Sequence, residues 1–172
     1  MQNTISLYVS SLTGNTQKIA NHIADHLKSL GYSVELHDVS DHNISINADH
    51  RNIVCFWCRR SSLDDLSKKF LDQFYGISFL AVGTCGHYPD SEYSSHVKEN
   101  VEEYINRQNH CVDVFLSQGA VNPARTEYRR KLPENHPHHL DEVGLARHLE
   151  SLKHPNEQDF LNALQFVDSY IH

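Results

Sequence analysis

The chain has no apolar stretch approaching the ~18 residues that a membrane-spanning helix requires. Its first residues, MQNTISLYVSS, lack a basic segment ahead of a long apolar core, so nothing reads as a secretory signal and the protein is expected to be soluble and cytoplasmic. Positive charge is also scarce. Fifteen Lys and Arg stand against 22 Asp and Glu, for a formal net charge of −7 with His neutral. That balance argues against a protein that tracks nucleic-acid phosphates or anionic lipid and favours partners with basic patches. The four cysteines, Cys55, Cys58, Cys85 and Cys111, lie in apolar surroundings rather than in a secreted disulfide framework, which suits a reducing compartment. No internal repeat or low-complexity tract is evident.

What is present is a regular alternation. TISLYVS, residues 4–10, is a short apolar β-rich run. The loop SLTGNT follows, and then Ile19, Ala20, Ile23, Ala24, Leu27 and Leu30 recur at helical spacing. Gly31 stands where a helix C-terminus is expected, and YSVELHDV alternates like a second strand. NIVCFWC has the uniform apolarity of a strand buried on both faces. SSLDDLSKKFLDQF then predicts a helix with Ser61 or Ser62 as N-cap, and ISFLAVGT a fourth strand. SEYSSHVKENVEEYINR and CVDVFLSQG complete a third helix and fifth strand, and EQDFLNALQFVDSYI a closing helix.

This order predicts one domain over residues 1–172 of α/β class: a three-layer, doubly wound, five-stranded parallel sheet of order 2-1-3-4-5. Residues 122–156 interrupt it. Four prolines punctuate this excursion, which holds helical patterns around ARTEYRRKL and DEVGLARHLESL.

The first loop is the most informative stretch. A loop from a parallel strand into a helix leaves several backbone N–H groups free at the positive end of the helix dipole, where an anion is the natural guest. Ser11, Thr13 and Thr16 add hydroxyls, and Gly14 permits close backbone approach. No GK[ST] ending is present, so the loop differs from that of a P-loop NTPase. The alternative is that Thr13 or Asn15 simply caps the helix and Gly14 shapes a turn. In a sheet of this order, ligands bind beyond the carboxyl ends of the strands where the winding reverses. Strand 3 ends in FWCRR and strand 4 in GTCGHYPD, delivering Trp57 and Tyr88 towards the same end as SLTGNT, where a flat ring can slot between them.

These features resemble a flavodoxin over residues 4–121 plus the last helix. The resemblance implies that Ser11, Leu12, Thr13, Gly14, Asn15 and Thr16 bind the phosphate of flavin mononucleotide (FMN). It places Trp57 and Tyr88 against the isoalloxazine, with Cys58, Arg59, Thr84, Cys85 and Gly86 completing the cofactor site. GTCGHYPDSE, SQGAVNP, LPENHPH and RHLESLKHPNEQD are similar to a narrower group, flavodoxin-domain proteins of gut anaerobes linked to the bilirubin reductase system. The function implied is electron transfer between a reductase and a terminal redox enzyme, and the second likeness implies an acceptor of bilirubin-reductase type. An FMN-dependent NAD(P)H or quinone reductase, or a flavin-free interaction module on the same fold, stands as the alternative. A receiver-like signalling domain would need clustered acids after strand 1, where Ser10 and Ser11 stand.

The sequence departs from the flavodoxin pattern after strand 3. A glycine usual beside the flavin is replaced by Trp57-Cys58-Arg59-Arg60, which disfavours positive φ there and makes one-electron poise less expected than two-electron chemistry. Arg59 and Arg60 either favour the fully reduced flavin or pair with Asp64 and Asp65. Cys55 and Cys58 have CxxC spacing but are expected on opposite faces of a strand. His22 and His26 are expected on a solvated helix face, and His136, His138, His139, His148 and His154 at the surface of the excursion. That excursion either covers the flavin edge or offers a reductase its docking surface.

Overall fold

The computed structural model describes residues 4–171 of the chain. The first strand, β1 (Thr4–Val9), is buried along its whole length, which explains why Ile5, Leu7, Tyr8 and Val9 are apolar on both of its faces. Helix α1 (Asn15–Ser29) turns Ile19, Ala20, Ile23, Ala24 and Leu27 inward. It ends at Gly31, whose φ of 89° needs a residue without Cβ strain. Edge strand β2 (Ser33–Asp38) follows, and then β3 (Arg51–Arg59), whose segment from Asn52 to Phe56 is fully interior.

A two-residue strand, β4 (Ser62–Leu63), folds back antiparallel on the end of β3, pairing Cys58 with Leu63 and Arg59 with Ser62. Helix α2 (Asp65–Leu71), β5 (Ser78–Cys85), α3 (Glu92–Ile105) and β6 (His110–Gln118) come next. The chain closes with α4 (Pro123–Arg130), α5 (Glu142–Ser151) and α6 (Glu157–Ile171).

The long strands run β2-β1-β3-β5-β6, all parallel. Leaving aside the two-residue β4, this is the predicted order 2-1-3-4-5. One core layer packs Ile19, Ile23 and Leu27 of α1 with Ala163 and Val167 of α6 against Ile5, Leu7 and Cys55. The opposite layer packs Phe70 and Leu71 of α2 with Val97, Val101 and Ile105 of α3 against Tyr8, Val54 and Phe56. Cys55 and Cys58 therefore belong to opposite layers, as strand alternation requires.

The packing leaves no slack at the centre of the sheet. A Cβ on Gly83 would stand 2.4 Å from the Phe56 ring, so the ring fills the space a side chain would need.

Three local expectations are corrected. Helix α2 is capped by Asp64, not Ser61 or Ser62, because β4 consumes the serine segment and Asp64 accepts from the N–H groups of Leu66 and Ser67. Arg60 and Ser61 adopt φ of 48° and 58°, so the backbone after β3 takes positive φ without a glycine. The reversal into β4 imposes it. On α1, the His22 ring stacks on Phe160 at 3.6 Å and His26 Nε2 lies 2.9 Å from Asp168, so these histidines tie α1 to α6 rather than only meeting water. Among the described residues, no helix is long and apolar enough to cross a membrane.

Candidate functional site

The loop between β1 and α1 opens at the carboxyl end of the sheet. Gly14 takes φ of 96°, and the first intrahelical bond runs from Lys18 N–H to its carbonyl. Gln17 N–H is satisfied by Ser11 Oγ at 3.2 Å. Asn15 and Thr16, the first helical residues, precede that bond and present N–H groups at the positive end of α1. Asn15 is pinned from the far side, its amide donating to Ala120 O at 3.0 Å. Gly119 permits that approach, since a Cβ there would meet the Asn15 amide nitrogen at 2.9 Å.

Thr16 plays a different part from the one expected of it. Its side chain is buried, with Oγ1 2.9 Å from Thr84 Oγ1 and donating to Phe56 O at 3.3 Å. It joins the loop to β3 and β5, leaving Thr13, which is exposed, as the outward hydroxyl.

Asp64 holds the strand ends in register. Its buried carboxylate accepts from Ser10 Oγ at 2.8 Å, Trp57 N–H at 3.2 Å, Ser67 Oγ at 2.8 Å and the two capping N–H groups. One side chain thereby connects the end of β1, the end of β3 and the start of α2.

Two contiguous cavities lie above these strand ends. The smaller, about 290 Å³, is bounded by Ser11, Leu12, Thr13, Asn15, Thr16 and Thr84, and by Gly119 to Asn122 after β6. The larger, about 670 Å³, runs past Arg59 and Arg60 to His87, Tyr93 and the excursion helices. Leu12, Trp57, Cys58, Cys85 and Gly86 line both and form a shared floor.

The excursion closes the larger cavity with positive charge. Arg125 and Arg129 of α4 and Arg147 and His148 of α5 line it. His148 is buried rather than at the surface, with Nδ1 2.8 Å from Thr126 Oγ1. His87 and His148 are each pushed down to about 4, by burial first and then by the neighbouring arginines, with Arg147 foremost. Both are neutral at pH 7.

The structure gathers Ser11, Leu12, Thr13, Asn15, Thr16, Trp57, Cys58, Thr84, Cys85 and Gly86 around this space, while Gly14 shapes the loop behind it. Arg59 lines the larger cavity but forms an ion pair with Asp65, which neutralises its charge; Arg60 lines it as well. Tyr88 does not line either cavity. Its carbonyl accepts from Ser91 and Ser94 at the start of α3, and the turn this makes directs His87 inward in its place, stacked on Tyr93 at 3.8 Å. Arg125, Arg129 and Arg147 escaped sequence reasoning because they lie in the excursion, more than 100 residues beyond the loop they face. The charged cluster ARTEYRR reads equally well as a solvated helix face.

Comparison with known proteins agrees with this geometry. The flavodoxin domain profile matches residues 6–168. The chain is 28% identical over 162 residues to the flavodoxin-like domain-containing protein BilS of Clostridioides difficile (strain CD3), spanning 92% of this chain and 90% of that one. Among solved structures it resembles the rubredoxin oxygen:oxidoreductase of Desulfovibrio gigas with a TM-score of 0.52 and 14% identity, over 95% of this chain and 36% of that one. A flavo di-iron protein from Thermotoga maritima gives 0.52 and 10% identity over 100% and 37%. These two likenesses concern the fold. With strand order, loop and profile in agreement, the chain belongs to the flavodoxin domain family.

Proposed function

We propose that the protein binds FMN at the carboxyl end of the sheet and carries electrons between redox partners. The observation that carries this reading is the SLTGNT loop: free N–H groups at the start of α1 and the outward Thr13 hydroxyl open onto a cavity floored by Trp57. The donor set suits a phosphate ester, since N–H and O–H groups can hold a dianion at a helix N-terminus without a salt bridge. The shared floor of Trp57, Cys58 and Cys85 suits a flat apolar ring.

Bound FMN supplies one- or two-electron transfer. The chain's own residues bind and orient: Ser11, Thr13 and the N–H groups of Asn15 and Thr16 hold the phosphate, and Trp57 stacks on the ring. Leu12, Gly86 and Val121 border the ring and exclude water. The acidic surface suits docking to basic patches on a reductase and an acceptor enzyme. An acceptor of bilirubin-reductase type is favoured by the sequence likeness in GTCGHYPDSE, SQGAVNP and LPENHPH.

The test is a fluorescence titration of the purified apoprotein with FMN and, alongside it, riboflavin. Trp57, the single tryptophan, reports from the cavity floor. Quenching with strong preference for FMN is expected; equal affinity for the two ligands, or none, overturns the phosphate assignment. The reductase reading is favoured by the recess above the floor, and its sign would be NAD(P)H consumption by the isolated protein.

A further inference from the structure

The larger cavity holds more positive charge than a flavin phosphate in the loop can use. Arg129 and Arg147 line this cavity and not the smaller one beneath the loop, whereas Arg125 lines both. Among the described residues, the arginines in ion pairs with carboxylates are Arg59 with Asp65 and Arg130 with Glu127. Arg125, Arg129 and Arg147 have no such partner, in a chain whose net charge is −7.

Arg147 is the most telling of the three. Its Nε is buried and has no hydrogen-bond partner. Folded proteins rarely leave a buried donor unmet, least of all a charged one, so the geometry is that of a donor awaiting an acceptor. The two neutral histidines beside it, His87 and His148, are held uncharged by burial first and then by the arginines, and offer neutral rings to the recess.

We propose that Arg129 and Arg147, with Arg125 at the shared edge, form the recognition wall for a second small molecule. That molecule is an organic anion, a carboxylate or a phosphate ester, whose conjugated part reaches towards the floor of Trp57, Cys58 and Cys85. The inference rests on the flavin reading, which assigns the loop to the FMN phosphate and leaves these arginines free. A small molecule fits better than an acidic protein surface because the arginines line a recess of about 670 Å³ beside His148, which is 4% exposed. Arg suits such an anion, since its planar fork grips carboxylate and phosphate oxygens in pairs.

The test is isothermal calorimetry on the FMN-loaded protein at pH 7 and low salt, with two probes: naphthalene-2,6-dicarboxylate and 2′-AMP. At least one is expected to bind. Preference for the first identifies a carboxylate ligand and preference for the second a phosphate ester. The R129Q/R147Q double variant should weaken the bound probe at least tenfold while FMN affinity stays within about threefold. R129K/R147K, which keeps the charge but loses the fork, should recover part of the loss.

Heat from neither probe overturns the inference, as does unchanged binding by the double variant. A parallel loss of FMN and probe also overturns it, because the arginines would then serve the flavin itself. If the wild-type chain takes up no FMN, the flavin reading fails separately, and the probes are titrated against Trp57 fluorescence. Arginine-dependent quenching would then retain the anion wall, and none would remove it.

Discussion

Cys58 and Cys85 sit on neighbouring strands, one residue past the Trp57–Thr84 pair, and their thiols act on each other at the floor of the site. The two sulfurs are thereby made unequal. Cys58 is held protonated, first by the Cys85 thiol beside it and then by burial. The Cys85 thiol is pulled below its ordinary range by the Cys58 thiol beside it, against the opposing effect of burial, with the His87 N–H and the Arg147 charge assisting.

Thiol chemistry should therefore concentrate at Cys85. Cys55 and Cys111 are each pushed up to about 12 by burial and are inert near neutral pH. Iodoacetamide at pH 7 is expected to label Cys85 before either of them, and FMN to slow the reaction, as peptide mass spectrometry can follow. Labelling of Cys111 first, or no protection by FMN, would contradict this floor.

The two threonines of the loop should respond differently to the same truncation. Thr13→Ala removes an outward hydroxyl and should weaken FMN about tenfold with little effect on riboflavin, at the roughly 1 kcal/mol or more expected for a hydrogen bond to a charged group. Thr16→Ala leaves the Thr84 hydroxyl and the Phe56 carbonyl short of a buried partner, so it should cost stability by about 1–3 kcal/mol in urea unfolding. Identical profiles for the two variants would show that the loop does not divide its labour in this way.

Asp64→Ala should be among the most damaging single changes at this end of the sheet. It removes the cap of α2 and leaves Ser10 Oγ and Trp57 N–H without their acceptor, for a combined loss of about 3 kcal/mol. Asp64→Asn retains one accepting oxygen and should lose less. Chemical unfolding of both variants checks the ranking.

Acid should erode the fold through His87 and His148. Their folded pKa values, each about 4, lie below the ordinary 6.5, so the unfolded chain takes up these protons first as pH falls. The stability they contribute is complete above about 6.5 and is lost progressively towards about 4. The charged groups facing them are Arg125, Arg129 and Arg147. The urea midpoint is expected to drop between pH 7 and pH 5, and His148→Gln to flatten that dependence.

The fold was legible because its signals are local. The run TISLYV, the helical stripe from Ile19 to Leu27 and the turn at Gly31 each declare one element, and alternation of such elements constrains the sheet order. The junction of β1, loop and α1 was legible for the same reason, since its residues are contiguous.

Long-range placement was not legible. The choice of His87 over Tyr88 depends on the turn after β5 that Ser91 and Ser94 fix through the Tyr88 carbonyl, to which composition is blind. The burial of Thr16 depends on Thr84, 68 residues away, and the pairing of Cys58 with Cys85 on which strands become neighbours. The CxxC spacing of Cys55 and Cys58 drew attention to a partner that strand alternation puts out of reach, while the true neighbour lay on another strand.

The helices α4 and α5 enter after β6 and leave before α6, and contribute no strand to the sheet. Scaffold and selectivity are consequently written in separate stretches of chain. The SLTGNT loop is tied to the sheet through Thr16 and Thr84, whereas the positive charge lining the larger cavity comes from a segment that contributes no strand. Two chains with this loop but different excursions would share a cofactor pocket and meet different molecules over it.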